Sequence, residues 1–455
     1  MWLLAGAALT GCILESPPQS EDLKKEILPE GAALPGQWAA SGAGAGNVES
    51  NWLATFSDTQ LDALVTEAIQ NNADLRAAAA RVEQAEAYVR VAGGELYPAV
   101  DALGRGGGQM SGDNSGLQGV LVSASWELDV WGRVRYTARG AEDQYASVQA
   151  DYAFARQSLA ALVAKAWFTA TEASLQHELV ASMVASAAKL VDIAQQRARV
   201  GAGSELDLAS ARVSYDTYRD SLRQVELARE QALRSLELLV GRYPAAGIAP
   251  PADFARFPPP IPTGLPSELL ERRPDVMAAQ QRLAAAFDKA KAAQAARFPR
   301  ISLTASGSDI SSDLFVLQNR DNPVWSAGGT IFAPLFHGGA LKAQAEAASA
   351  EQKQAMAQYV QTALRAFGDV ENALASEFAL KDREQILTAG VREAERALHL
   401  AEARYRVGAG DLRTVQQQQL AYNTSRINLL RVQSERRMQR VNLHLALGGD
   451  FAAKA

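Results

Sequence analysis

The 455 residues include a single cysteine and only four histidines, scattered at His177, His337, His399 and His444. One cysteine cannot close an internal disulfide, and a structural zinc site needs several Cys/His ligands at tight spacing, so metal chemistry is not expected. Basic residues are in deficit: 45 Lys+Arg stand against 51 Asp+Glu, a net charge of -6. That excludes the basic surplus of a nucleic-acid partner. Beyond the N-terminal stretch no run of 18 apolar residues occurs, which leaves no membrane-spanning helix. Catalytic signatures are missing as well. Gly106-Gly107-Gly108 has no following Lys-Ser/Thr, the glycines from Gly42 to Gly46 precede any strand, and no histidine sits in a nucleophile or metal motif. An enzyme is not expected.

Aromatics are scarce at 7%, while the 48% apolar share is carried largely by alanine, in runs such as Ala77 to Ala80 and Ala284 to Ala286. Such chains form long helices packed through small side chains. Proline is absent between Ala99 and Tyr243 and after Pro334, and nine of the 17 prolines fall between Arg242 and Asp275. Because proline breaks helix interiors, the two empty tracts are where long helices belong, and the cluster reads as an extended linker.

The two halves repeat each other. Asp74-Leu75 with Arg81-Val82 maps onto Asp275-Val276 with Arg282-Leu283 at an offset of 201, as Tyr97-Pro98 does onto Phe298-Pro299. Arg199-Val200-Gly201-Ala202-Gly203 recurs as Arg406-Val407-Gly408-Ala409-Gly410 at an offset of 207, and Tyr215 and Leu222 then fall on Tyr422 and Leu429. Matches in order at nearly constant offset are duplication. The expected organisation is a signal segment 1–11, a lead 12–57, a first repeat 58–241, a linker 242–264, a second repeat 265–448 and a tail 449–455.

Each repeat reads helix, strand, strand, long helix, turn, helix. The long helices are expected at 133–199 and 340–406, spanning roughly 100 Å each at helical rise. The returning helices are expected at 204–240 and 411–447, and the opening ones at 63–96 and 265–297. An opening and a returning helix end to end match one long helix, the geometry of an elongated helical cylinder. Strand signals alternate with period two. Val120, Val122, Ala124, Trp126, Leu128 and Val130 oppose Ser123, Ser125, Glu127 and Asp129; Ile301, Leu303 and Ala305 oppose Ser302, Thr304, Ser306 and Ser308; Trp325, Ala327, Ile331, Ala333 and Leu335 oppose Ser326 and Thr330. The segments 105–116 and 309–322 read as exposed loops. Such strands suit a half-buried sheet or a membrane barrel, apolar outside and polar inside. Four strands cannot close a barrel alone, so in a membrane the chain must oligomerise.

Leu9-Thr10-Gly11-Cys12 ends a short apolar stretch and resembles the lipobox of bacterial lipoproteins. No Lys or Arg precedes that stretch, which a truncated start accounts for. With the segment Gly264-Leu265-Pro266-Ser267-Glu268-Leu269-Leu270-Glu271-Arg272-Arg273-Pro274-Asp275-Val276, Tyr97-Pro98, Phe298-Pro299 and the two Val-Gly-Ala-Gly turns, the chain resembles the outer-membrane efflux factor family of TolC-like channels, in its lipoprotein (NodT-type) branch. The resemblance implies a mostly α chain with a membrane β-barrel: a homotrimer with a 12-stranded barrel in the outer membrane and a 12-helix tunnel in the periplasm. It implies a periplasmic adaptor and an inner-membrane transporter of the RND type as partners, and no cofactor beyond covalent lipid, palmitate included, on Cys12. It places the pore aperture at Asp411, Arg413, Thr414 and Gln417, and adaptor docking at Val200, Gly201, Gly203, Val407, Gly408 and Gly410. The family commonly carries an aspartate at the position of Gln417 and a hydrophobic residue at that of Arg413, so this sequence offers no carboxylate ring there. Three close arginines repel, and Arg413 is expected to be paired in the closed state, as with Asp411 of a neighbouring helix. A solvated tip charge without a gating role fits equally. The alternatives at this level are a duct for polypeptide secretion and a coiled-coil surface lipoprotein without a pore.

Overall fold

The computed structural model describes residues 14–28, 34–40, 50–105, 117–312 and 324–451. Its elements run α1 (Ser20–Glu26), a 3-10 turn (Trp52–Phe56), α2 (Thr59–Asn71), α3 (Ala73–Gly94), β1 (Ala99–Arg105), β2 (Leu117–Leu128), α4 (Arg133–Arg199) and α5 (Glu205–Val240). They continue with α6 (Pro266–Leu269), α7 (Pro274–Ala295), β3 (Arg300–Ser312), β4 (Val324–Phe332), α8 (Ala340–Arg406) and α9 (Leu412–Ala446). The chain divides into two compact units. One takes in Met1–Ala33, Ala79–Asp151 and Asp275–Ala363, the other Leu34–Ala78, Tyr152–Pro274 and Leu364–Ala455.

Both long helices have 67 residues and the expected bounds. The start of α4 is set by Gly132, at φ +79, and by Asp129. The Asp129 carboxylate accepts from the Val134 and Arg135 amides at 3.0 and 2.9 Å, satisfying donors that a helix start leaves open.

The opening helices differ from expectation. Each is two helices where the sequence pattern predicts one. In the first half Asn72 leaves the helical region at ψ 125. Its Oδ1 accepts from the Leu75 amide at 3.1 Å and its Nδ2 donates to the Leu239 carbonyl at 3.2 Å, so the side chain caps the next helix in place of continuing the last. In the second half Pro274 opens α7; with no N–H of its own it sits where a helix needs none, and the chain breaks before it.

In the first unit the four strands form one antiparallel sheet in the order β1-β2-β3-β4, so the β2–β3 pair joins the two halves. Val122 faces Gly307, Ala124 faces Ala305, and Ala305 faces Ala327. Val100, Val122, Trp126, Leu303, Trp325 and Ile331 therefore share one face, and all remain exposed. Ser123, Ser125, Ser306 and Ser326 lie on the other, which also carries Leu103 opposite Leu121. The expected alternation holds within the strands and overruns their ends. β2 stops at Leu128, short of Val130, and β4 at Phe332, before Ala333, Pro334 and Leu335. Conversely β3 extends to Ser312, pairing Asp309 with Val120 where a loop was expected. Residues 106–116 and 313–323 lie outside the described residues.

In the second unit Trp52, Phe56, Leu61, Trp167, Phe168 and Leu236 head the largest buried cluster. The proline-rich segment lies extended against α9. Arg437 Nη2 donates to the Ala255 carbonyl at 2.6 Å and its guanidinium stands 4.5 Å from the Phe254 ring centroid. Arg440 donates to the Pro259 carbonyl and binds Glu377 of α8, Nε to Oε2 at 2.9 Å.

Candidate functional site

The two glycine turns are built alike. α4 ends at Arg199, Gly201 takes φ +73, and the Ala202 and Gly203 amides both donate to the Arg197 carbonyl, at 2.9 and 3.0 Å. α8 ends at Arg406, Gly408 takes φ +78, and the Ala409 amide donates to the Arg404 carbonyl at 2.9 Å. A left-handed residue at that place closes a helix and suits glycine. Gly203 and Gly410 pack closely on the preceding helix ends: a Cβ on them would lie 3.0 and 3.2 Å from the Cβ atoms of Arg197 and Arg404, a tight approach. Val200 and Val407 are 77% and 79% exposed, two apolar side chains held out at the turns.

The returning helices start on capping side chains. Ser204 Oγ accepts from the Asp207 amide at 3.1 Å and the Asp207 carboxylate accepts from the Ser204 amide, a reciprocal cap at the helix start. Asp411 accepts from the Thr414 amide at 2.7 Å and from Thr414 Oγ1 at 3.1 Å. Those two hydrogen bonds, with Arg413 nearby, hold the Asp411 carboxyl below its ordinary range. Asp411 and Thr414 are thus brought together as a cap. Arg413 and Gln417 stay exposed, and among the described residues Arg413 holds no ion pair within the chain. Cys12 lies outside the described residues.

Leu190, Ala194, Leu208, Ala211, Leu412 and Val415 bury one another between the two turns. Polar contacts that the sequence reading missed tie the same region. Arg197 Nη1 donates to the Tyr405 carbonyl at 2.9 Å and Nη2 to the Ala202 carbonyl at 3.1 Å. Gln416 Nε2 donates to the Ser210 carbonyl at 3.1 Å and to Ser214 Oγ at 3.0 Å. The available signal was an unequal repeat: Arg197 and Arg404 correspond, but Tyr405 corresponds to Ala198. Beside these contacts, Lys189, Glu395, His399, Glu402 and Arg426 line a cleft of about 500 Å³.

At the foot of the sheet Trp126 Nε1 donates to the Leu96 carbonyl at 3.0 Å and Trp131 Nε1 to the Pro299 carbonyl at 2.8 Å. Tyr97, Trp131 and Phe298 stay exposed around them. Amphipathic rings tethered at one end of an apolar strand face are what a membrane–water boundary selects. Among the described residues no helix is long and apolar enough to cross a membrane.

An exposed apolar strand face and long capped helix pairs define an outer-membrane channel protein. The sequence pattern of the outer membrane efflux protein family matches residues 64–242 and 265–449, and the chain belongs to that family. Its place is the outer membrane, as the channel of a tripartite efflux pump. Among its relatives, the pyoverdine export outer membrane protein OpmQ of Pseudomonas aeruginosa is 30% identical over 445 residues, 93% of each chain. The cation efflux system protein CusC of Escherichia coli K12 is 30% identical over 459 residues, 97% of each. The structure of the Neisseria gonorrhoeae MtrE outer membrane channel in its open state superimposes with a TM-score of 0.81 at 28% identity, covering 97% of this chain and 99% of that one.

Proposed function

We propose that three copies of the chain close their four-stranded sheets into one barrel and serve as a passive, non-enzymatic exit duct for small molecules, fed by an inner-membrane transporter through a periplasmic adaptor. The observation that carries this reading is the sheet. Its apolar face is exposed, and β1 and β4 have no further strand beside them among the described residues. In lipid such edges must be paired, and three sheets of four strands exceed the eight that the narrowest barrels use. The polar face then lines a wet bore. The turns at Gly201 and Gly408 are the adaptor-facing tips, and the start of α9, from Asp411 to Gln417, lines the aperture. Cys12 carries the acyl anchor: two residues on, the Leu14 side chain packs against Gly132 at the foot of the sheet, on the strand side of α4. Cargo is selected by the transporter.

The test is single-channel conductance of the purified protein in planar bilayers, with its mass in detergent. A trimeric mass with small, rarely open channels is expected. A monomer that never conducts overturns the reading in favour of a lipoprotein without a pore. Cys12→Ala is expected to trimerise and to lose fatty-acid labelling.

A further inference from the structure

In the first unit α4 and α7 enclose two carboxylates and one arginine. Asp288 of α7 is fully buried, and Arg139 of α4 grips it with Nε, 2.6 Å from Oδ2, and with Nη2 on Oδ1. Asp143, one turn along α4, stands against the same Asp288 carboxylate, and among the described residues its Oδ2 is buried with no donor to satisfy it. Two ionised carboxylates have only lone pairs to offer each other, so this contact needs a proton between them. Charge counting agrees: two negative groups and one positive group in a buried place carry a net charge that a bound proton removes.

Arg139 has a second duty. Its Nη2 also donates to the Glu15 carbonyl at 2.7 Å. The Glu15 amide donates to Tyr136 Oη at 2.9 Å, the Glu15 carboxylate pairs with Lys291, and Gln280 donates to Ser20 Oγ at 3.3 Å. Leu23 and Ile27 are buried below. The segment 14–28 is therefore seated on α4 and α7, with Arg139 as the link between its backbone and the carboxylate pair.

We propose that Asp143 and Asp288 share one proton, and that this proton governs how firmly residues 14–28 are seated. While the proton is present, Arg139 is committed to Asp288 and to the Glu15 carbonyl. When it leaves, Asp143 becomes a second anion four residues from Arg139 on the same helix face and draws the guanidinium away. The charged groups acting on Asp143 are Arg139 and Glu142 on α4 and Asp288 on α7; beyond them Tyr136 acts on Arg139 and bonds the Glu15 amide, and Lys291 pairs with the Glu15 carboxylate. Burial first, and Asp288 second, raise the Asp143 carboxyl from 3.8 to about 6. A raised carboxyl stabilises the seat below its unfolded value, and that contribution is lost as pH rises through the folded one.

The test uses the whole protein in detergent. Infrared difference spectra between pH 5 and pH 7.5 are expected to contain a protonated carboxyl band that disappears at the higher pH and is absent throughout in Asp143→Asn. Hydrogen exchange at residues 15–28, corrected for its intrinsic pH dependence, is expected to rise about tenfold over the same range in the wild type and to stay flat in Asp143→Asn. The infrared measurement on the wild type stands even where the variant folds poorly. Absence of the band, or an equal rise in both proteins, overturns the proposal.

Discussion

Arg197 reaches from the end of one long helix to the end of the other: its Nη1 donates to the Tyr405 carbonyl at 2.9 Å, and its guanidinium stands 4.8 Å from the Tyr405 ring centroid. Because Arg197 Nη2 also holds the Ala202 carbonyl, one side chain ties both glycine turns. Arg404, its counterpart in the repeat, is exposed. The contact therefore separates two positions that the duplication made equal.

Charge-assisted hydrogen bonds and a cation–π contact at a half-exposed site contribute about 1–2 kcal/mol together. Arg197→Ala is expected to raise hydrogen exchange at both turns by about tenfold and to lengthen channel openings, while Arg404→Ala changes neither. Tyr405→Phe is a sharper control. Among the described residues the Tyr405 hydroxyl is buried without a hydrogen-bond partner, so removing it keeps the ring under Arg197 and should leave stability unchanged or slightly raised. A large loss in Tyr405→Phe would mean that the hydroxyl, and not the ring, holds the contact.

Neighbouring residues on β2 should respond in opposite ways. Val122 lies on the exposed apolar face and Ser123 on the polar one. A cationic side chain on a lipid-facing strand position costs about 2–4 kcal/mol near the bilayer midplane and an acidic one less, and three copies multiply the cost. Val122→Asp is expected to block trimer assembly in the membrane, as read by its mass in detergent and its outer-membrane content. Ser123→Asp is expected to assemble and to shift ion selectivity toward cations. Equal assembly of both variants would exclude the lipid-facing assignment.

Much of this fold was legible because periodic features repeat. The bounds of the 67-residue helices follow from glycine turns and proline-free tracts. What resisted reading was decided by single side chains meeting distant groups. Asn72 breaks a helix that propensity would continue, because it has the Leu239 carbonyl to bond and the Leu75 amide to cap. The Arg197 link depends on how two turns, far apart in sequence, lie beside each other. Asp411, expected at the aperture and as a partner for Arg413 of a neighbouring helix, also caps α9 through Thr414, a further role that its place immediately before a helix already offered.

That role leads to a prediction about pH and charge at the tips. The Asp411 carboxyl is held below 3.8, so its cap is complete above the unfolded value and is lost only as pH falls through the lower folded one. Hydrogen exchange in the first turn of α9 should be independent of pH from 8 to 5 after intrinsic correction. Asp411→Ala should raise it at every pH and Asp411→Asn much less, since an amide oxygen still accepts from Thr414. Arg413→Ala should leave this exchange unchanged, because Arg413 takes no part in the cap. Its effect, if the start of α9 lines the aperture, belongs to conductance and ion selectivity.

The extended linker supplies the largest expected loss. Arg440 is 1% exposed and is the common partner of the Glu377 carboxylate and of the Pro258 and Pro259 carbonyls. Its guanidinium also lies 4.6 Å from the Phe257 ring centroid. A planar fork can satisfy a carboxylate and reach a carbonyl at once, which a lysine ammonium on a thinner stem cannot. Removing one partner of a fully buried ion pair strands the other at about 3–5 kcal/mol, and the loss here is smaller on that count because the Glu377 side chain is 20% exposed. Arg440→Ala is expected to lower the unfolding temperature strongly and to open the segment 253–259 to protease, with Arg440→Lys only partly restoring both. Glu377→Gln, which keeps an acceptor for Arg440 beside the proline carbonyls, should lose less than Arg440→Ala. The reverse order would place the strap's hold on the carboxylate and not on the arginine.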